Sequence, residues 1–333
     1  MKTVCYKRVK IALSVAVAAL VAVLFFATGC GSSRKTEEEA DGHLILNCTF
    51  DYMQTGEKRR YYVKQSPASA GYDLVWESGD EEIATVDKGG VVTARGAGET
   101  TVTVSAEGTP YKSRLKLTVA EQIINGSEGE NAAQLAVDNA RNDGSVLIIG
   151  GYYPSVRINK KLTVTCAEGA AFGEIMLEDD AQLFLYYASV SAPSTTGKNA
   201  CVTVGKDASF TAVACSFSYI DPTGETISDT AVSAPDDAVR IYCRGCSFSG
   251  YRTCVKVGAT EGEIYLVNND FTDAETAVEI DLRVKGTTED KDASGKIADN
   301  VYVGCKTAVS LYYNALSYTG ALEIADADVS VPS

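Results

Sequence analysis

Two adjacent carboxylates are the first feature of this sequence that could do chemistry. Asp236 and Asp237 are neighbours in the chain, and a pair of acids can supply the general acid and the base or nucleophile that cleave a glycosidic bond. The only histidine is His43, which we expect on the surface, so no histidine accompanies the pair as a proton-transfer partner. Asp236 and Asp237 are therefore candidates for catalysis, and the alternative is that both are solvated turn residues.

A second acidic pattern could hold a metal ion. The run Asp290-x-Asp292-x-Ser294-Gly295 resembles the start of an EF-hand calcium loop, in which oxygen atoms from alternate residues bind Ca²⁺. The twelfth position of that loop is Val301, where an EF-hand has Glu, and no helical pattern flanks the run. We predict a mobile polar loop here, with a Ca²⁺ site at Asp290 and Asp292 as the alternative, and no other cofactor.

The ten cysteines do not form a recognisable metal or redox motif. Cys243 and Cys246 have the CxxC spacing, but no second CxxC or histidine cluster completes four zinc ligands. The pair also lies among strand patterns, whereas a thioredoxin-like pair begins a helix. We predict that the cysteines of the folded part serve in packing, and the sequence leaves open whether some of them form disulfide bonds.

The N-terminus has the pattern of an export signal. Four basic residues and no acid precede an apolar run from Ile11 to Ala27, which small residues follow. The end of this segment, Gly29-Cys30, resembles the lipobox of bacterial lipoproteins. That resemblance implies that residues 1–29 are a signal peptide and that the Cys30 thiol carries lipid.

An extracytoplasmic protein, lipid-anchored to the bacterial cell membrane through Cys30, follows from this resemblance. Residues 30–41 are small and charged, so we expect a flexible tether that holds a folded body off the lipid surface. The alternative is an uncleaved single-pass anchor, because an apolar run of this length could just span a bilayer.

The charge balance argues against nucleic acid as a partner. The chain has 44 acidic and 30 basic residues, a net charge of −14, and loss of residues 1–29 removes four bases and leaves −18. Phosphate backbones and polygalacturonate bind basic surfaces, so an acidic surface repels them unless cations bridge the two. The length suffices for two domains, and the Val, Thr and Ala content with few helical patterns predicts an all-β protein.

Residues 42–120 alternate apolar and polar residues in short runs, as in a small β-sandwich. Within them, the segment from Tyr72 to Val104 contains Ile-Ala-Thr-Val-Asp, Gly-Val-Val-Thr-Ala and Glu-Thr-Thr-Val-Thr. This segment resembles the bacterial immunoglobulin-like domain of group 2, whose members act as spacers or adhesion units in envelope proteins.

Several side chains of this module have expected positions. Trp76 should fill the space between two sheets rather than serve as a sugar platform. Ile83, Val86 and Val91 should alternate inward, and Gly89-Gly90 should form a tight hairpin.

Residues 121–130 are interpreted as a linker, and residues 131–333 as a second β domain. One helical pattern opens it: Asn131 is the expected N-cap, Leu135, Ala136 and Ala140 share a face, and Gly144 ends the helix. The strand patterns that follow resemble the opening of pectin-lyase-like right-handed parallel β-helices, in which a short helix covers the N-terminal end.

Repetition supports a solenoid independently of that resemblance, because a stacked coil buries its apolar positions against the same positions above and below. A Thr/Ala-x-Val phrase recurs, and its aligned valines are Val202, Val232, Val255, Val278 and Val309. A second expected column comprises Phe210/Ala212, Ile241/Cys243, Ile264/Leu266 and Val301/Val303, and Phe217, Phe248 and Phe271 follow the first three pairs. Cys215, Cys246 and Asn269 are expected to share one turn column.

The sequence favours a binding role for the solenoid. Tyrosine doublets at 61–62, 152–153, 186–187 and 312–313 should each place one ring outward, which suits carbohydrate stacking or contact with a surface protein. The alternative for these rings is ordinary half-buried packing. We therefore expect an adhesion-type surface protein whose β-helix presents an elongated face. The alternative is a polysaccharide lyase or glycoside hydrolase of the pectin-lyase-like class.

Overall fold

The first part of the chain folds as a two-sheet sandwich. The computed structural model describes residues 44–65, 71–191, 200–219, 228–234, 237–315, 320–326 and 329–330, so Cys30, His43 and Asp236 lie outside the described residues. The strands of the sandwich are β1 (Ile45–Leu46), β2 (Phe50–Gln54), β3 (Lys58–Arg60), β4 (Val63–Gln65), β5 (Leu74–Ser78), β6 (Ala84–Val86), β7 (Val91–Ala94), β8 (Gly98–Ala106) and β9 (Lys112–Ala120).

One sheet of the sandwich has the order β2-β9-β8-β5 and the other the order β3-β7-β6, while β1 pairs with β4. Strand β8 shows why the sheets pack: Val102 and Val104 are fully buried, and Thr101 and Thr103, which alternate with them, are half-buried. This period of two puts every second side chain into the space between the sheets.

Trp76 packs against the core as expected, although its side chain is only half-buried, and the expected inward position of Val91 is wrong. Trp76 packs against the buried cluster of the sandwich, and a Cβ on Gly90 would lie 2.8 Å from its ring. Gly90 also has φ +76° in the predicted hairpin. Val92 takes the buried position, because β7 pairs Val92 with Val86 and Ala94 with Ala84.

From residue 122 onward the chain forms a right-handed β-solenoid of about seven turns. Its described strands are β10 (Gln122–Asn125), β11 (Gly144–Ile149), β12 (Tyr152–Tyr153), β13 (Val156–Ile158), β14 (Lys161–Ala167), β15 (Ala171–Phe172), β16 (Ile175–Leu177), β17 (Gln182–Tyr186), β18 (Ser189–Val190), β19 (Ala200–Val204), β20 (Ser209–Val213), β21 (Ser216–Ser218), β22 (Ser228–Ala234), β23 (Arg240–Arg244), β24 (Ser247–Ser249), β25 (Tyr251–Val257), β26 (Glu263–Val267), β27 (Asp270–Thr272), β28 (Thr276–Asp281), β29 (Ser294–Ala298), β30 (Val301–Val303), β31 (Thr307–Tyr312), β32 (Leu322–Ile324) and β33 (Val329–Ser330).

These strands form three parallel sheets, and each complete coil contributes one strand to each sheet. The nine-stranded sheet has the order β10-β11-β14-β17-β20-β23-β26-β29-β32, the seven-stranded sheet β12-β15-β18-β21-β24-β27-β30 and the eight-stranded sheet β13-β16-β19-β22-β25-β28-β31-β33. The five predicted valines are confirmed as one column, since Val202, Val232, Val255, Val278 and Val309 are paired in register and fully buried.

The second predicted column is right except at its last coil. Phe210, Ile241 and Ile264 are register partners in the nine-stranded sheet. Val301 and Val303 instead lie in β30 of the seven-stranded sheet, 51% and 57% exposed. The insertion before β29 lengthens this coil. The spacing therefore aligns Val301 and Val303 of the seven-stranded sheet with Ile264 and Leu266 of the nine-stranded sheet.

The turn column of Cys215, Cys246 and Asn269 is confirmed, and it continues to Asn300. Ser247 N donates to Cys215 O, and Asp270 N donates to Cys246 O, so the three residues stack. Asn269 Nδ2 donates to Cys243 O and to Asn300 Oδ1, both at 3.0 Å. Beside this ladder, the rings of Phe217, Phe248, Phe271 and Tyr302 stack with centroid separations of 4.7, 5.0 and 5.3 Å.

The predicted helix exists, but it is shorter and rotated. Helix α1 spans Ala132–Asn139 and buries Ala133, Ala136 and Val137. Leu135 is 60% exposed, and the side chain of Asn131 makes no cap hydrogen bond. Gly144 begins β11 instead of ending the helix. Among the described residues, no helix is long and apolar enough to cross a membrane.

The segment interpreted as a linker contains the first strand of the solenoid. Residues 122–125 form β10, which pairs with β11 through the whole of its length. Glu121 alone separates it from β9; its backbone N–H is bonded to Ser145 Oγ at 3.0 Å, and its Oε1 accepts from Arg141 N at 3.1 Å. The sandwich strand therefore runs directly into the first coil.

Candidate functional site

A strip of aromatic side chains lies on the outer surface of the nine-stranded sheet. Phe184 and Tyr186 come from β17, Tyr242 from β23 and Tyr265 from β26; these four residues are called the aromatic strip. Each ring is half-buried, and its neighbours along the strand are buried in the solenoid core. Tyr186 is the last residue of β17, so it has such a neighbour on one side only. Successive side chains of a strand point to opposite faces, so the strip points away from the core.

The register of the sheet arranges the strip along the solenoid axis. Phe184 pairs with Thr211, Thr211 with Tyr242, and Tyr242 with Tyr265. The rings of Tyr242 and Tyr265 are 6.0 Å apart between centroids, tilted by 43°. With a strand spacing of about 4.8 Å, the strip runs for roughly 14 Å from β17 to β26.

Thr211 shows that the strip is continuous. It occupies an outward position between Phe184 and Tyr242, yet only 9% of it is exposed. We infer that the larger aromatic side chains above and below shield the smaller threonine, since an outward Thr without such neighbours would be open to solvent. The surface there is therefore an apolar platform without a wide gap.

Tyrosine hydroxyls in the strip differ from those in the two cores. The Tyr61 hydroxyl donates to Asp51 Oδ2, and that of Tyr302 donates to Asp326 Oδ2, both at 2.7 Å. Burial, followed by the hydrogen bond to Asp326, raises the pKa of Tyr302. In the described part of the chain, no protein group forms a hydrogen bond with a hydroxyl of the strip. These hydroxyls can exchange water for a ligand without breaking a protein contact.

The charged side chains beside the strip are mostly neutralised across neighbouring coils. Arg240 Nε lies 2.7 Å from Glu263 Oε2, and Lys296 Nζ lies 3.4 Å from Glu323 Oε1. These pairs follow the register of the nine-stranded sheet. Ion pairs therefore lie beside the rings.

The outer surfaces of the other two sheets are different in chemistry. Serines of β21 and β24 face outward in the seven-stranded sheet, where Ser216 pairs with Ser247. On the eight-stranded sheet, Lys256 Nζ is 2.9 Å from Glu279 Oε1. One face of the solenoid thus carries a row of rings, and the other two carry hydroxyls, ion pairs and scattered exposed apolar side chains such as Tyr152, Val301 and Val303.

The predicted catalytic pair is described only at Asp237. This residue has φ +53° in the turn between β22 and β23, and Asp207, whose N–H donates to Asp237 O, has φ +56° in the preceding coil. Aspartate tolerates this left-handed conformation. Lys291 Nζ lies 3.9 Å from Asp237 Oδ1 and 3.3 Å from Glu261 Oε1. One lysine and two acids from three coils therefore meet at this turn.

Asp290, the first residue of the predicted metal-binding pattern, joins its loop to the segment that follows the last complete coil. Both carboxylate oxygens of Asp290 accept from the backbone N–H of Asn314, at 2.7 and 2.9 Å, and Oδ2 also accepts from Ala315 N at 3.0 Å. Asp292 is exposed. Within the described residues, no group of three or more His, Cys, Asp or Glu side chains is arranged to hold a metal ion.

The buried cysteines of the solenoid are poorly suited to nucleophilic chemistry. All eight described cysteines are free thiols. Burial raises the pKa of Cys166 to about 12, and it also raises the pKa of Cys254. A hydrogen bond between the stacked thiols of Cys215 and Cys246 raises the pKa of Cys215 and lowers that of Cys246, but both side chains are buried.

The aromatic strip was only partly visible in the sequence. The predicted column of Ile241 and Cys243 implies that Tyr242 between them faces outward, as the structure has it, but β17, which holds Phe184 and Tyr186, precedes Phe210, the first member of that column. The signal that could have located it is the shared pattern of Leu-Phe-Leu-Tyr and Ile-Tyr-Cys-Arg. The doublet at 186–187 was expected to place one ring outward, but both rings face outward. Tyr187 lies beyond the end of β17 at a turn with φ +58° and is 58% exposed.

Comparison with known families assigns the sandwich and leaves the solenoid unassigned. Residues 53–113 match the bacterial Ig-like domain (group 2), so the expected immunoglobulin-like module is confirmed. No curated protein matches the chain.

Proposed function

We propose that this protein is a lipid-anchored surface protein whose solenoid binds carbohydrate along the aromatic strip. The observation that carries the proposal is the row of outward rings on one face, with tyrosine hydroxyls that have no hydrogen-bond partner in the described protein. Outward aromatic side chains in a row are an exposed apolar surface of the kind that marks a binding site.

The chemistry of the strip suits sugar rings. A pyranose presents C–H groups on its faces and hydroxyls around its edge, so aromatic rings can cover the faces while tyrosine hydroxyls bond the edge. The strip is straight and runs along the solenoid axis over several coils. This geometry favours an elongated glycan over a compact ligand, which would use an enclosed pocket.

The remaining parts have supporting roles in this proposal. Lipid on Cys30 holds the chain at the membrane, and residues 30–41 and the immunoglobulin-like module separate the solenoid from the lipid surface. Because β9 runs into β10 with only Glu121 between them, the module acts as a spacer close to the first coil. A surface glycan of the same or another cell would be the ligand.

A second candidate function is cleavage of a polysaccharide. The observation that favours it is the meeting of Lys291 with Asp237 and Glu261, because lyases use a basic residue as the proton acceptor and hydrolases use paired acids. In the structure the lysine and the acids pair with each other. This pairing favours a binding role for the solenoid over cleavage.

We expect residues 42–333 to bind linear glycans on a glycan array and to leave them intact. Incubation with acidic and neutral polysaccharides, with and without Ca²⁺, should release no new reducing ends and no unsaturated products. Electrospray mass spectrometry of the recovered ligand would show an unchanged mass.

The control for this experiment is Asp236→Ala with Asp237→Ala, which should bind the same glycans because neither residue belongs to the strip. Turnover by the wild-type chain that the double variant lacks would contradict the binding assignment. It would make the two acids catalytic residues.

A further inference from the structure

Arg244 stands out among the basic residues of the solenoid. Most other described arginines and lysines of the solenoid face acids, as Arg240 faces Glu263 and Lys306 faces Glu275, and Lys160 donates to the carbonyl groups at the end of α1. Among the described residues, no acid or other hydrogen-bond partner meets the guanidinium of Arg244. An unpaired arginine is unexpected in a chain with 44 acids.

The position of Arg244 is next to the aromatic strip. It lies two residues after Tyr242 on β23, so both side chains point outward. Its register partners are Val213 in the coil below and Val267 in the coil above, so the strand positions beside it offer no charge. Arg244 is exposed and keeps all five N–H donors available for a ligand.

We propose that Arg244 binds the carboxylate of an acidic sugar in a glycan held on the aromatic strip; this inference rests on the proposed function. The planar guanidinium matches a carboxylate with two parallel hydrogen bonds. Rings on one side and a single cation on the other define a subsite for one acidic sugar with neutral neighbours.

The charge of the whole chain limits the ligand to sparse acidic groups. At a net charge of −14 for the whole chain, or −18 after loss of residues 1–29, the protein repels a polymer that has a carboxylate on every sugar. Arg244 can neutralise one carboxylate, and the nearby Arg240 is already held by Glu263. The ligand class is therefore a mainly neutral glycan that carries isolated uronate or similar acidic residues.

The test compares an oligosaccharide that contains one uronic acid with the same oligosaccharide after reduction of its carboxyl to an alcohol. Both are titrated into the full-length protein in neutral detergent. We expect wild type to bind the acidic form about tenfold more tightly, as for one charge-assisted contact. Arg244→Gln should remove that preference without weakening binding of the reduced form. Arg240→Gln is the matched control and should keep the preference.

The outcomes separate this inference from the function on which it rests. Equal binding of the two forms by wild type, or an unchanged preference in Arg244→Gln, overturns the role of Arg244 while carbohydrate binding stands. Binding of neither form by wild type overturns both. Added salt should weaken binding of the acidic form more than that of the reduced form; equal salt effects would also contradict the contact.

Discussion

Val255→Asp should unfold the solenoid at temperatures where the wild-type chain is folded. Val255 is fully buried between Val232 and Val278, so the variant loses apolar burial and puts a carboxylate where no partner exists. We expect a loss of about 4 kcal/mol or more. A thermal scan by circular dichroism should show the melting temperature of the solenoid lowered by roughly 10 °C.

Two control variants test whether that loss of stability comes from burial of the new carboxylate. Lys256→Asp, one residue on, removes a partly exposed ion pair with Glu279 and should cost about 1 kcal/mol or less. Val303→Asp makes the same chemical change at a side chain that is 57% exposed and should also cost little. Similar melting temperatures for Val255→Asp and Val303→Asp would contradict the assigned faces.

Cys30→Ala should abolish lipid labelling and release the protein into the soluble fraction. The thioether of a bacterial lipoprotein forms on a cysteine sulfur, which alanine lacks, and two acyl chains account for stable membrane attachment. Labelling with a radioactive or alkyne fatty acid, followed by membrane fractionation, measures both effects.

Cys48→Ala is the matched control for the anchor, because it removes a thiol from the sandwich and should leave labelling unchanged. Persistent labelling of Cys30→Ala would refute the lipoprotein assignment. An unlabelled wild-type chain that stays in the membrane would instead support an uncleaved apolar anchor.

The sequence predicts most of the fold because a solenoid repeats its chemistry. The column from Val202 to Val309 and the turn ladder of Cys246 and Asn269 could be read from spacing, since each coil must match the coils beside it. Val301 and Val303 were misplaced where an insertion interrupts that spacing. The expected inward position of Leu135 is wrong, because the short helix α1 buries four other small or apolar residues instead.

The candidate site was harder to predict because its residues do not repeat. The aromatic strip joins coils of unequal length, and Thr211 interrupts the row of rings in sequence, although it is covered in space. The significance of Arg244 depends on the absence of an acid at Val213 and Val267, which only the register reveals. Asp237 was visible in sequence, but its left-handed turn and its contact with Lys291 were not.

The most direct test of carbohydrate binding by the aromatic strip is a calorimetric titration of Tyr242→Ala with Tyr265→Ala, using the glycan that residues 42–333 bind best. If the strip binds the glycan, the affinity should be at least about tenfold lower, since two ring contacts are lost, with an unchanged circular dichroism spectrum. Tyr152→Ala, which removes a 44% exposed ring from the seven-stranded sheet, should bind like wild type. Unchanged affinity in the double variant would contradict carbohydrate binding by the aromatic strip.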